Sequence, residues 1–150
     1  MRIAFCGPAN AGPSQMATAF AERKRNRHGY DLEIITGGND PIEQIHDAVI
    51  EAMAEVGIDM SDRTPQRLSP EAITTVDHLI TMDSPVDQFR PDDDEWEGTV
   101  QTWDLTYIGE SDREAIEQQR DLVERRVDDL FERLETEQRI GDATTNASAE

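Results

Sequence analysis

The sequence predicts an α/β fold in which a four-stranded, mostly parallel sheet is flanked by helices. Three observations predict it. Short apolar runs without alternation indicate strands buried on both faces, apolar residues at helical spacing fill the segments between them, and a glycine-rich turn joins the first strand to the first helix. Alternating strands and helices are typical of a parallel sheet, which binds its ligands beyond the carboxyl ends of the strands.

The first half of the chain alternates between strand and helix twice. Residues 2–6 are apolar and predict the first strand, and residues 14–27 predict a helix with small and apolar residues on its inward face. A second strand is predicted at residues 32–36, where a glycine-rich turn follows. The second helix is expected over residues 42–56, because apolar residues recur there at helical spacing until Gly57 ends it.

The second half supplies two more strands and a long helix. Residues 76–82 predict the third strand, and a short fourth strand is expected near residues 100–105. Residues 83–101 are acidic and loop-like. The sequence Ser-Asp-Arg-Glu at residues 111–114 indicates a capping box, which opens a helix with one apolar stripe that reaches to about residue 138.

Bulk properties limit the class of protein. The 150 residues are most simply one domain over residues 1–139 with a disordered tail over residues 140–150. A net charge of −19 argues against nucleic acid and anionic membranes as partners. Lys24 is the sole lysine beside thirteen arginines, which predicts adaptation to molar salt. No signal pattern is visible, so a cytoplasmic location is expected, and a single cysteine excludes an internal disulfide or a cysteine-based zinc site.

The loop CGPANAGPSQMA, residues 6–17, lies where such a sheet binds ligands. Turn amides and a helix N-terminus together attract oxyanions. Pro8 and Pro13 lack an N–H, so two donors are missing. Two readings stay open: a loop that weakly binds phosphate or arsenate, or a structural turn. The residues that would form the anion loop are Gly7, Ala9, Asn10, Ala11, Gly12 and Ser14.

Several motifs resemble the low-molecular-weight protein tyrosine phosphatase superfamily, and most of all its thioredoxin-coupled arsenate reductase branch. These motifs cover roughly residues 2–134 and are IAFCGPANAGPSQMATAFAER, TGGNDP, EAMAEVGIDMSDRTPQ, VDHLITM, WDL and QQRDLVERRVDDLFERL. With its acidic composition the chain looks like a haloarchaeal-type member. The resemblance implies a phosphate loop after the first strand and relatives that are phosphoric monoester hydrolases and arsenate reductases.

The resemblance also implies catalytic residues that this chain does not carry. The family signature is Cys-x5-Arg-Ser, in which the Cys attacks as a thiolate and the Arg binds the equatorial oxygens. Those positions hold Gly7 and Pro13. The general-acid Asp corresponds to Tyr107, and the two further cysteines of the reductase branch correspond to Ser84 and Arg90. No thiol relay can form within a chain that has one cysteine.

Cys6 is the fallback nucleophile. Adjacent residues of a strand point to opposite faces, so Cys6 is expected to be buried in the sheet if position 7 faces the loop. The residues therefore favour a phosphatase-like pseudoenzyme that acts as a binding or regulatory protein. We expect it to have a protein partner and to hold no metal and no cofactor. The alternative is an active phosphatase or arsenate-reductase-type enzyme in which Cys6 is the nucleophile and an arginine such as Arg90 replaces the missing one.

Overall fold

A computed structural model describes residues 1–82, 96–105 and 112–137 of the chain. Four strands form one sheet in the order β2-β1-β3-β4, and every neighbouring pair is parallel. This confirms the predicted fold class. The strands are β1 (Arg2–Cys6), β2 (Glu33–Gly37), β3 (His78–Met82) and β4 (Thr99–Trp103).

Four helices accompany the sheet in the described parts of the chain: α1 (Pro13–His28), α2 (Asp47–Ala54), α3 (Pro70–Ile73) and α4 (Arg113–Thr136). The helices α1 and α2 both contact α4. Their apolar side chains form one large core, whereas α3 belongs to a second, smaller one. No helix among the described residues is long and apolar enough to span a membrane.

The central strand β1 supplies side chains to both cores. Ile3 and Phe5 are fully buried in the large core beneath α1 and α4. Ala4 and Cys6 are fully buried in the smaller core, which includes Ile73 of α3. The alternation follows from strand geometry, because successive side chains leave a strand on opposite faces. A residue on β1 therefore faces one core and cannot face the other.

The second helix is shorter than the sequence predicts, and the assignment of residues 42–46 to it is wrong. The chain just before and at the start of this segment bonds to the loop after β1 instead: Asp40 N–H donates to the Pro8 carbonyl (2.9 Å) and Ile42 N–H to the Ala9 carbonyl (3.2 Å). His46 then has an extended backbone, with φ −64° and ψ 144°, and is the N-cap. Helical spacing is present, but tertiary hydrogen bonds override it.

The start of α4 also differs from the prediction, and α3 is a helix that the sequence patterns do not predict. The N-cap of α4 is Asp112, whose side chain accepts a hydrogen bond from Ala115 N–H (2.9 Å), so the capping box that begins at Ser111 is wrong. The short α3 was not predicted, although its start has ordinary signals. Ser69 accepts a bond from Ala72 N–H and Pro70 is the first helical residue.

Candidate functional site: the loop after the first strand

The loop over residues 7–12 joins β1 to α1 at the carboxyl end of the sheet. The turn after β2 packs directly against it. A Cβ on Gly38 would clash with the carbonyl oxygens of Gly7 and Pro8, so only glycine fits at position 38. This close approach, together with the bonds from Asp40 and Ile42, fixes the outer wall of the loop.

Asn10 holds the loop in shape from inside. It is 1% exposed and has a left-handed backbone, with φ 52°. Its Nδ2 donates to Ser14 Oγ (3.1 Å) and to Thr36 Oγ1 (2.8 Å). Its Oδ1 accepts from Gln15 Nε2 (3.0 Å) and from Gln66 N–H (2.8 Å). One buried side chain thus ties the loop to α1, to β2 and to the segment before α3.

The cavity inside the loop is very small. It has a volume of about 10 Å³ and is lined by every residue from Gly7 to Ser14 and by Met82. Such a volume holds about one water molecule. Within the described chain the backbone N–H groups of Ala9, Ala11 and Gly12 have no hydrogen-bond acceptor. Donors for an anion are therefore present around this small cavity.

Neither residue at the two positions that the motif resemblance assigns to the family signature carries a reactive group. Gly7 lies at the end of β1, where a Cβ would be 3.2 Å from the Met82 carbonyl oxygen and 3.4 Å from Ser14 Oγ. Pro13 is the first residue of α1, directly after the N-cap Gly12. Proline suits this helical position because its missing N–H would have no partner inside the helix. The loop has the form of a strand-to-helix turn without a nucleophile or a cation.

Cys6 is buried, as expected from strand alternation, and it lies away from the loop cavity. Its side chain is in the smaller core with Ala4, Ile73, Val76 and Leu79. Burial raises the pKa of the Cys6 thiol from 9.0 to about 12, because a thiolate loses its hydration there. The thiol behaves as a small apolar core residue.

This environment predicts slow chemistry at Cys6. At about pH 8, folded protein should react with iodoacetamide about a thousandfold more slowly than unfolded protein, because a pKa of about 12 instead of 9.0 lowers the thiolate fraction by that factor. Intact mass measured over time, with and without denaturant, gives the two rates. Equal rates would mean that the thiol is accessible in the folded chain.

The other predicted catalytic positions lie outside the described residues. These are Tyr107, at the general-acid position, and Ser84 and Arg90, at the positions of the further cysteines. The structure therefore assigns them no place relative to the loop. The predicted loop residues Gly7, Ala9, Asn10, Ala11, Gly12 and Ser14 do come together around the cavity.

A model of the family described as low molecular weight phosphotyrosine protein phosphatase matches residues 2–140. The chain belongs to this family. A protein of Halobacterium salinarum named "Putative arsenate reductase" is 36% identical to it over 133 residues, which cover 87% of this chain and 91% of that protein. The resemblance inferred from the motifs is thereby confirmed.

Solved structures of other proteins share the fold. The YwlE arginine phosphatase from Geobacillus stearothermophilus is 25% identical, with a TM-score of 0.75 over 91% of this chain and 94% of that one. A low molecular weight protein tyrosine phosphatase from T. tengcongensis is 23% identical, with a TM-score of 0.74 over 89% of this chain and 99% of that one. Both likenesses extend over nearly the whole length of each protein.

Proposed function

We propose that this member of the low molecular weight phosphatase family performs no phosphatase or arsenate reductase chemistry and acts as a binding or regulatory protein. One observation carries the proposal. Gly7 occupies the nucleophile position, and Cys6, the sole cysteine of the chain, lies in the core on the other side of β1. A reaction that begins with a thiolate attack has no thiolate to begin with.

The remaining features of the loop support the same proposal. Pro13 removes the guanidinium that would hold an oxyanion in two hydrogen bonds, and Pro8 and Pro13 contribute no N–H groups. The cavity of about 10 Å³ has room for one water molecule. We infer that the loop is a structural turn, and that phosphate or arsenate binds to it weakly at most. We infer that the fold binds a protein partner, in a cytoplasm at molar salt.

An active enzyme is the second candidate, and the comparisons favour it. The Halobacterium salinarum relative bears the name of an arsenate reductase, and the solved neighbours are named phosphatases. For this chain to do such chemistry, Cys6 would have to leave the core and ionise despite a pKa of about 12. An arginine from another segment, such as Arg90, would have to replace the one missing at position 13. Each requirement adds a separate free-energy cost before any reaction starts.

The two candidates differ in turnover. Purified protein in molar KCl should hydrolyse p-nitrophenyl phosphate no faster than buffer, and it should not reduce arsenate when thioredoxin, thioredoxin reductase and NADPH are supplied. An active phosphatase and an active arsenate reductase of the family, in the same assays, are the positive controls. Turnover that rises in proportion to protein concentration, and follows the protein through a second purification step, would favour the active enzyme.

A further inference from the structure

The outer edge of the sheet at β2 is open. In the described chain β2 pairs on one side with β1 and has no strand on its other side. Pairing resumes just past its end, where Gly38 N–H donates to the Gln66 carbonyl (2.8 Å) and Leu68 N–H donates to the Gly38 carbonyl (3.1 Å). This bridge is parallel. The chain thus places one residue pair where a fifth strand would lie and leaves the rest of that edge unpaired.

A groove runs along this open edge. Its volume is about 460 Å³, which is within the range of sites that bind ligands. Ile34 packs against the large core, whereas Ile35 and Leu68 pack against the small one. Because residues of both layers line the groove, it lies at the edge of the sheet between the layers. The lining residues are contributed by α1, by residues 34–36 of β2, by residues 62–64 and 66–68 and by Ala72 of α3.

The groove has an exposed cation and an exposed anion at separate places. Arg67 is exposed beside the carboxyl end of β2, and its Nη1 donates to the Asn39 carbonyl (2.8 Å). Asp62 is exposed on the wall near α1, next to Arg63, which forms an ion pair with Glu22 (2.8 Å). Among the described residues neither Arg67 nor Asp62 has an ion-pair partner. One cation and one anion are therefore available to complementary groups on a bound molecule.

We propose that this groove binds an extended peptide segment of a partner protein, which adds to β2 as a fifth strand. The free N–H and C=O groups of the β2 edge supply main-chain hydrogen bonds, and the walls accept alternate side chains. Apolar side chains of the segment pack toward Leu68 and Ala72, which line the groove. An acidic residue of the segment lies by Arg67 and a basic one by Asp62. The five residues of β2 include no proline or lysine, which commonly protect an exposed edge.

The proposal names a partner class for the binding role proposed above and rests on that role. It uses the edge of β2 and not the loop after β1. Peptide binding and turnover are separate measurements, so a chain that binds the peptide and also hydrolyses an aryl phosphate would contradict the proposed function alone. Failure to bind the peptide in a chain without turnover would contradict the strand proposal alone.

The probe is a seven-residue peptide with blocked ends: lysine, then valine and threonine in alternation, with valine at both ends of that run, then aspartate. A second peptide has the reverse order. Calorimetric titration in molar KCl should show that one of the two binds. Two N-methylated versions then test the main chain, one methylated on the odd residues and one on the even residues. We expect one version to bind about tenfold or more weakly and the other to bind like the parent, since the N–H groups of alternate residues point to opposite edges.

Equal effects of the two methylation patterns, or no binding by either parent peptide, would overturn the proposal. A matched pair of variants on α3 locates the site. Ala72→Trp should fill the groove and abolish peptide binding, whereas Glu71→Trp, on an exposed residue that does not line the groove, should leave it unchanged. Unfolding midpoints show whether both variants fold. If sedimentation shows that β2 is covered by a second copy of the chain, and Ala72→Trp abolishes that dimer, the peptide proposal is wrong.

Discussion

The double substitution Gly7→Cys with Pro13→Arg should make the loop bind arsenate and vanadate much more tightly than the native chain does. A Cβ at position 7 meets the Met82 carbonyl oxygen at 3.2 Å and Ser14 Oγ at 3.4 Å, so a cysteine fits after a shift of a few tenths of an ångström. An arginine at position 13 adds a cation at the start of α1 and restores an N–H. The N–H groups of Ala9, Ala11 and Gly12 already lack acceptors in the described chain. We expect a gain in affinity of about a hundredfold, because charge-assisted bidentate bonds are strong.

Calorimetric titration of native and substituted protein in molar KCl measures this gain. Gly7→Ser with Pro13→Arg is the matched control, which keeps the guanidinium and lacks the thiol. The introduced thiol should also have a pKa below the usual thiol value, because it lies at a helix N-terminus beside a guanidinium. Turnover should return only weakly, since the Asp that the resemblance implies as general acid is absent from position 107, and adding Tyr107→Asp should raise it. A double variant that folds but gains no affinity would show that restoring these two side chains does not restore an anion-binding site.

The substitution Asn10→Ala should lower the free energy of unfolding by about 3–4 kcal/mol, since it removes several hydrogen bonds of a buried group. Four bonds to Ser14, Thr36, Gln15 and Gln66 would be lost. The Gln66 N–H would also lose its acceptor. Alanine is in addition strained at a φ of 52°. Chemical denaturation in molar KCl gives the free energy.

Two further variants separate these causes. Asn10→Gly accepts the left-handed backbone but loses the four bonds, so it should recover about 1 kcal/mol relative to alanine. Asn26→Ala, on the exposed part of α1, is the matched surface control and should change stability by less than about 0.5 kcal/mol. If Asn10→Ala unfolds like Asn26→Ala, the buried network does not hold the loop.

Much of the fold follows from local patterns in the sequence. The strand β1 has the predicted bounds, since a short apolar run that ends at a glycine-rich turn is typical of a buried strand. The helix α4 has one buried stripe at helical spacing, which includes Ile116, Val123 and Val127. The burial of Cys6 follows from strand alternation alone. In each case the residues that form the sequence pattern are the same residues whose structure the pattern predicts.

Long-range contacts account for what the sequence did not predict. Residues 42–46 have helical spacing, but the backbone of Ile42 bonds to the loop more than thirty residues earlier. The role of Asn10 depends on Thr36 and Gln66, which no local pattern connects to it. The available sequence signal is an Asn within a loop of glycine, proline and alanine, since Asn tolerates the left-handed backbone that turns require. The groove at β2 likewise depends on how residues 62–68 cross the sheet edge.

The substitution Cys6→Ser shows whether the one thiol of this chain takes part in any reaction, and we expect that it does not. Serine is close to cysteine in size and cannot supply a thiolate. In molar KCl we expect native protein and the variant to give the same background rate with p-nitrophenyl phosphate and with arsenate, and to have intact folds by circular dichroism. A native rate above background that disappears in a folded Cys6→Ser variant would contradict the account.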